Sequence, residues 1–165
     1  MSTIIIRPAG QQDSAALCEI YNHYIAHTFI TFEEDLLSSN DMGERQQQVQ
    51  AAGLPWLVAE DQGVVIGYAY GNRWKERSAY RHTAEVTVYL EPSSLGRGAG
   101  SRLYHALFSA LKESSVHIVI GGIALPNEAS VALHEKMGMK KVAHFNEVGF
   151  KFGEWIDVGY WQKIL

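Results

Sequence analysis

Cysteine is nearly missing from this sequence: Cys18 is the only one. An intramolecular disulfide is therefore excluded, which fits a reducing compartment. Positive charge is also scarce. Fourteen Lys and Arg stand against eighteen Asp and Glu, for a formal net charge of −4. With no basic cluster, a nucleic-acid partner is not expected. Long apolar runs are missing too. The run in "MSTIIIRPAG" is too short for a signal peptide, and no stretch is long enough to span a bilayer. A cytoplasmic chain with no membrane partner is the expectation. Repeats, low-complexity tracts and long linkers are missing. His23, His27, His82, His105, His117 and His144 show no metal-ligand spacing with Cys or Glu, so no metal is expected.

The chain does have enough apolar material for a core. Hydrophobic residues are 47% and charged residues 19% of its 165 positions, which suits one domain over residues 1–165. "TIIIRP" reads as a strand closed by Pro8. Asp13 is placed to cap a helix in which Leu17, Ile20, Tyr21, Tyr24 and Ile25 recur at helical spacing. "FITFEEDLL" reads as loop or short extended chain. "SSNDMGERQQQVQAAG" is a polar helix stopped by Gly53, with Pro55 beyond. "PWLVAE" and "VVIGYAYG" form a hairpin around Asp-Gln-Gly. "HTAEVTVYL" is a long strand, "VHIVIGGIA" a strand buried on both faces, "PNEASVALHEKMG" a short helix, and two strands close the chain. The order β-α-α-β-β-β-α-β-α-β-β predicts an α+β fold. Its sheet is mainly antiparallel, with one parallel β-α-β join.

That join contains "LGRGAG", residues 95–100, between a strand and a helix whose apolar stripe is Leu103, Leu107, Phe108 and Leu111. A glycine turn opening a helix is a phosphate cradle. A nucleotide P-loop requires a lysine after the last glycine, and none is present. A dinucleotide fingerprint requires Gly-x-Gly-x-x-Gly after the first strand, and the spacing here is Gly-x-Gly-x-Gly at mid-chain. The acyl-CoA diphosphate pattern, Gln/Arg-x-x-Gly-x-Gly/Ala, places Gly98 and Gly100 correctly. Arg97 or Arg102 is available to add charge. A tight turn with no ligand is the other reading of this motif alone.

Five stretches widen the comparison: "YNHYIAHTFITFE", "WKERSAYRHTAEVTVYL", "GRGAGSRLY", "ALPNEASVALHEKMGM" and "GFKFGEWIDVGYWQ". In order and spacing they resemble the GCN5-related N-acetyltransferase superfamily, and within it the phosphinothricin and methionine sulfone N-acetyltransferase group. The resemblance implies a sheet splayed at an acyl-CoA site and acetyl-CoA as co-substrate. It implies direct transfer to the amine of a small amino acid or analogue, and a homodimer, with the aromatic tail "GYWQKIL" at the interface. It departs at Leu95, where the family usually has Gln or Arg.

Acetyl transfer to an amine needs a neutral nucleophile, donors for the oxyanion and a proton for the thiolate. Glu85 shares a strand face with Thr87 and Tyr89, opposite Ala84, Val86, Val88 and Leu90. The resemblance makes Glu85 the general base; taken alone, a solvent-face glutamate is the commoner reading. Backbone of Val86, Thr87 and Val88 is implied for the oxyanion and the pantetheine arm. Leu95, Gly96, Arg97, Gly98, Ala99, Gly100 and Ser101 are implied for the diphosphate, and Asn127 for the pantetheine, with a helix cap as its other role. His134 is a candidate acid, with packing as its alternative. Arg77 and Tyr80, with Phe32 and Glu34 opposite, suit an acceptor carboxylate or phosphinate. The rivals are an acetyltransferase for an antibiotic, a polyamine or a protein N-terminus, and a non-catalytic CoA-binding module.

Overall fold

The computed structural model describes residues 3–165; Met1 and Ser2 lie outside the described residues. The first strand, β1 (Ile4–Pro8), stops at its proline. A single 3-10 turn leads into α1 (Ser14–His27), which buries Leu17, Ile20, Tyr21, Tyr24 and Ile25 as its periodicity predicts. Asp13 precedes α1 but does not cap it with its side chain. Its carboxylate accepts instead from the Gly10 N–H at 2.8 Å and from both terminal nitrogens of Arg7 at 2.9 Å. A carboxylate this buried gains more from a guanidinium fork than from a helix end. The second helix, α2 (Ser39–Ala51), starts in a capping box. The Ser38 hydroxyl accepts the Asp41 N–H, and the Asp41 carboxylate accepts the Ser38 N–H. Gly53, with φ of 75°, ends it as expected.

The hairpin of β2 (Trp56–Asp61) and β3 (Val64–Arg73) turns at Gln62 and Gly63, both at positive φ, as a tight hairpin in a twisted sheet requires. Then follow β4 (Thr83–Leu90), α3 (Ala99–Glu113), β5 (Ile118–Leu125), α4 (Glu128–Lys136), β6 (Lys140–Lys151) and β7 (Glu154–Ile164). This is the expected order of elements. The seven strands form one sheet, β1-β2-β3-β4-β5-β7-β6. The only parallel pair is β4–β5 among the described residues.

Helix α3 packs on one face of the sheet and α1 with α2 on the other. On the first face Leu103, Leu107 and Leu111 meet Ala69, Ala84, Val86 and Val119. On the second, Leu17, Ile25 and Met42 meet Val58 and Tyr68. Each buried Leu, Ile, Val or Met among these contributes about 1.5–3 kcal/mol by leaving water. The alternation of β4 is as read from the sequence: Ala84 and Val86 enter the α3 core, while Tyr89 packs with Tyr21 and Tyr24.

The feature that positions the site is a short ladder. Strands β4 and β5 pair only from Thr83–Glu85 to Ile118–Ile120. Beyond that point β4 stays with β3 as far as Leu90, and β5 stays with β7 as far as Leu125. Each strand follows its outer partner, and the sheet opens into a fork. The expected splay is therefore present.

Asp13→Asn is expected to cost about 1–3 kcal/mol at pH 7, toward the lower end because Arg7 is 30% exposed on its side chain. The Arg7 guanidinium holds the Asp13 carboxyl below the usual carboxylate range. The stabilisation is therefore present above about pH 4 and is lost as pH falls through the depressed native value. Urea unfolding of wild type and variant at pH 7 and pH 3 checks both the size and the trend.

Candidate active site

The fork holds a groove of about 360 Å³, lined by Tyr24, Ile30, Val88, Tyr89, Leu90, Leu95, Gly96, Gly98, Gly100, Ser101, Asn127, Ala129, Ser130 and Leu133. Its strand edge can be worked out from one bond. The Glu91 N–H donates to Ile66 at 2.9 Å, so Glu91 faces β3. Alternation then turns Tyr89 and Thr87 toward β3 as well, and Leu90, Val88 and Val86 toward the fork. The Leu90 carbonyl accepts from the Tyr24 hydroxyl. Val88 lies beyond the end of the β4–β5 ladder, so its N–H and C=O face the fork without a strand partner. Thr87 is on the predicted strand, but its backbone points away from the groove.

At the wide end of the groove the chain turns through Gly96 and Gly98, at φ of 76° and 79°. A left-handed backbone here disfavours any residue with a Cβ. Gly98 also occupies the N-cap of α3 and so offers no capping side chain. The first bond within α3 runs from the Arg102 N–H to Gly98 at 3.2 Å. The N–H groups of Ala99, Gly100 and Ser101 precede it, and the helix provides no acceptor for them. An uncapped, positive helix end beside a backbone with open space at two glycines is suited to a diphosphate. Gly100 itself lies against Leu90 and Leu133. Arg97 pairs with Asp61 at 2.6 Å. Leu95 is 58% exposed at the groove's rim. Asn127 lines the groove while its Oδ1 accepts the Ser130 N–H at 3.1 Å, so it is both helix cap and groove wall.

Glu85 lies where the ladder ends. It lines a smaller pocket of about 270 Å³ with Ile30, Phe32, Gly122, Ala124, Val148, Val158 and Tyr160. Ile30 lines both cavities, so they adjoin. Burial raises the Glu85 carboxyl above the usual glutamate range, and Lys75 only partly opposes this. No described side chain hydrogen-bonds it. A carboxylate that is desolvated and unpaired has a strong tendency to take up a proton.

His134 points inward and is 4% exposed. Its Nδ1–H donates to the Ser130 carbonyl at 2.7 Å, which leaves Nε2 to accept from the Tyr104 hydroxyl at 3.0 Å. Burial lowers its pKa, so the ring is neutral at pH 7. It packs over Gly121 of β5, where any Cβ would collide with the ring. Arg77 is exposed on the β3–β4 connection, outside the lining of both cavities, and Tyr80 sets its ring edge-on to Trp74 at 5.3 Å. Glu34 is exposed in the α1–α2 loop. The structure thus gathers Val88, the glycine loop and Asn127 at one cavity, and Glu85 with Phe32 at the next. Tyr24, Ile30, Gly122, Val148, Val158 and Tyr160 were missed by sequence reasoning. They lie on α1, the α1–α2 loop, β5, β6 and β7, and residue type alone marks none of them as pocket lining.

The chain matches the acetyltransferase (GNAT) domain family over residues 6–159. It belongs to the GNAT acetyltransferase family. This N-acetyltransferase is 40% identical over 158 residues to the phosphinothricin N-acetyltransferase of Streptomyces viridochromogenes, covering 96% of this chain and 86% of that one. It is 35% identical over 160 residues to the L-methionine sulfoximine/L-methionine sulfone acetyltransferase of Salmonella typhimurium, covering 97% and 94%. Among solved structures, the phosphinothricin acetyltransferase of Sinorhizobium meliloti in complex with acetyl-CoA superposes with a TM-score of 0.96. It is 32% identical and covers 99% of this chain and 89% of its own. The splayed α+β GNAT fold expected from the sequence is therefore the fold of this acetyltransferase.

Leu95→Gln tests the one residue of the glycine loop that departs from the family's pattern. Because Leu95 is exposed, the change is expected to leave the melting temperature unmoved. It is expected to tighten acetyl-CoA binding several-fold by adding a donor at the loop, as measured by calorimetric titration.

Proposed function

We propose that this enzyme transfers the acetyl group of acetyl-CoA directly to the amine of a small amino acid or analogue of the phosphinothricin, methionine sulfone or methionine sulfoximine type. Glu85 is the general base. The observation that carries this reading is Glu85 itself: a desolvated carboxylate without a partner, in a small pocket that adjoins the fork. The groove residues Val88, Leu90 and Leu133 suit the thioester arm, and the free Val88 backbone can pair with it as an added strand does. The N–H groups of Ala99, Gly100 and Ser101 suit the diphosphate.

In this reading the acceptor enters beside Phe32, and Arg77 and Tyr80, on the β3–β4 connection outside the pocket lining, are assigned to its carboxylate. Glu85 takes the ammonium proton, directly or through water, and the freed lone pair attacks the thioester carbon. The Val88 N–H meets the developing oxyanion. As the C–S bond breaks, the sulfur receives a proton. The attacking nitrogen must shed a second proton as the amide forms, and water in the open groove can relay it to the sulfur; His134, neutral and with its Nε2 occupied by the Tyr104 hydroxyl, lines neither cavity. No acyl-enzyme is needed, and Cys18 is buried in α1. Arg77 disfavours a polyamine through like-charge repulsion. The reaction is assigned to one domain, residues 1–165, working as a homodimer in the cytoplasm. Exposed Phe145, Phe150 and Trp155 on the β6–β7 hairpin support pairing near the aromatic tail.

A thiol-release assay with acetyl-CoA and a panel of amino acids, analogues, polyamines and peptides tests the acceptor class. Transfer to the amino-acid analogues and not to polyamines is expected; CoA binding with no transfer to any acceptor would overturn the reading. Glu85→Gln is expected to bind CoA normally and lose about 100-fold or more in kcat. In wild type, kcat/KM is expected to fall as pH drops through the raised Glu85 pKa, because the base must be ionised. The acid limb assigned to Glu85 should be missing from the pH profile of the variant.

A further inference from the structure

One wall of the pocket beside Glu85 is the loop between α1 and α2, residues 28–38, which contributes Ile30 and Phe32. The α1–α2 loop has no helix or strand of its own, so something else must hold Phe32 in place. Asn22 ties the far end of the loop at Leu37, and three side chains hold the part around Phe32. The Tyr21 hydroxyl bonds Thr31 Oγ1 at 2.8 Å and also reaches the Glu33 carboxylate. Arg45 of α2 grips that carboxylate with both terminal nitrogens. The third tie comes from the opposite edge of the sheet. Lys151, the last residue of β6, is 1% exposed. Its ammonium donates to the Thr28 and Thr31 carbonyls at 2.9 and 2.8 Å.

A buried ammonium is costly unless its protons are satisfied. Here both hydrogen bonds of Lys151 go to this one loop, and its charge lies 4.9 Å from the centroid of the Phe152 ring. Packing alone would be served by an apolar side chain of the same length. Two residues earlier, Gly149 follows a register irregularity in β6. A Cβ at Gly149 would collide with the Phe32 ring, so the ring rests against bare backbone. Phe32 is otherwise 40% exposed, with room to move if that seat is lost.

We propose that β6 sets the acceptor pocket from outside: Gly149 seats Phe32 and Lys151 pins the loop that bears it. Both are positioning residues for the small amino-acid acceptor, and neither acts on acetyl-CoA. The inference rests on the reading of the Glu85 pocket as the acceptor site.

Steady-state kinetics and hydrogen exchange on the purified full-length protein test it. Lys151→Met and Gly149→Ala are expected to lower kcat/KM for the acceptor by roughly tenfold to hundredfold, with a clearly smaller change in KM for acetyl-CoA, because Ile30 is the one residue of the loop that also lines the groove. In Gly149→Ala the displaced ring should penalise longer acceptors more than short ones. Lys151→Arg, which keeps the charge and donors, should recover part of the loss. In both damaging variants, amides of residues 28–38 should exchange faster. Equal losses toward acceptor and acetyl-CoA, or no kinetic change, would overturn the proposal. If Lys151→Met does not fold, Glu33→Gln loosens the same loop from the α2 side and must give the same acceptor-specific loss. If wild type acetylates no amino acid, the proposed function fails. Unchanged exchange in residues 28–38 of Gly149→Ala would then separately overturn the positioning role.

Discussion

The structure depends on a ladder that stops early. Had β4 and β5 paired along their full lengths, Val88 and Leu90 would have bonded across the gap, and the groove would not exist. Pairing ends at Glu85 and Ile120 because each strand is committed to an outer neighbour that diverges with the sheet's twist. The short ladder has three consequences. It frees the Val88 backbone, leaves the uncapped end of α3 facing an open groove, and sets Glu85 at the fork's base. In the proposed reading, the groove's polar contacts come chiefly from backbone groups, and its walls from apolar side chains.

Two buried ionisable side chains, Lys151 and His134, and half-buried Glu85 differ in what surrounds them. Lys151 is given two carbonyls by the α1–α2 loop, so its charge holds structure together. His134 has each ring nitrogen engaged, by Ser130 and by Tyr104, and burial keeps it neutral. Glu85 has desolvation without a hydrogen-bond partner. The hydrogen bonds of Lys151 and His134 commit them to holding structure, whereas Glu85, desolvated without such bonds, is poised to take up a proton. The contrast singles out Glu85 more firmly than its burial alone.

Local patterns were legible wherever they reflected local physics. The α1 stripe, the Gly53 stop, the Gln62–Gly63 turn, the glycine loop and the Asn127 cap all rest on contacts a few residues apart, and all appear where the pattern put them. Asp13 was misread because the rule for helix caps is local, whereas its actual partner, Arg7, sits on the preceding strand. Phe32 and Glu85 were both named from sequence and do share a pocket. The rest of that pocket was not legible: Gly122, Val148, Val158 and Tyr160 come together only through the β5–β7–β6 order of strands.

By itself the sequence determined the elements, their order, the parallel join and the glycine loop, since periodicity, caps and glycines act over one or two turns of chain. Only the tertiary structure decided which backbone groups stay unpaired and which ionisable groups are satisfied. It also decided that a strand near the C-terminus supports a loop near the N-terminus. Those outcomes depend on register and twist across seven strands, and on desolvation by residues distant in sequence. No short stretch of sequence encodes either.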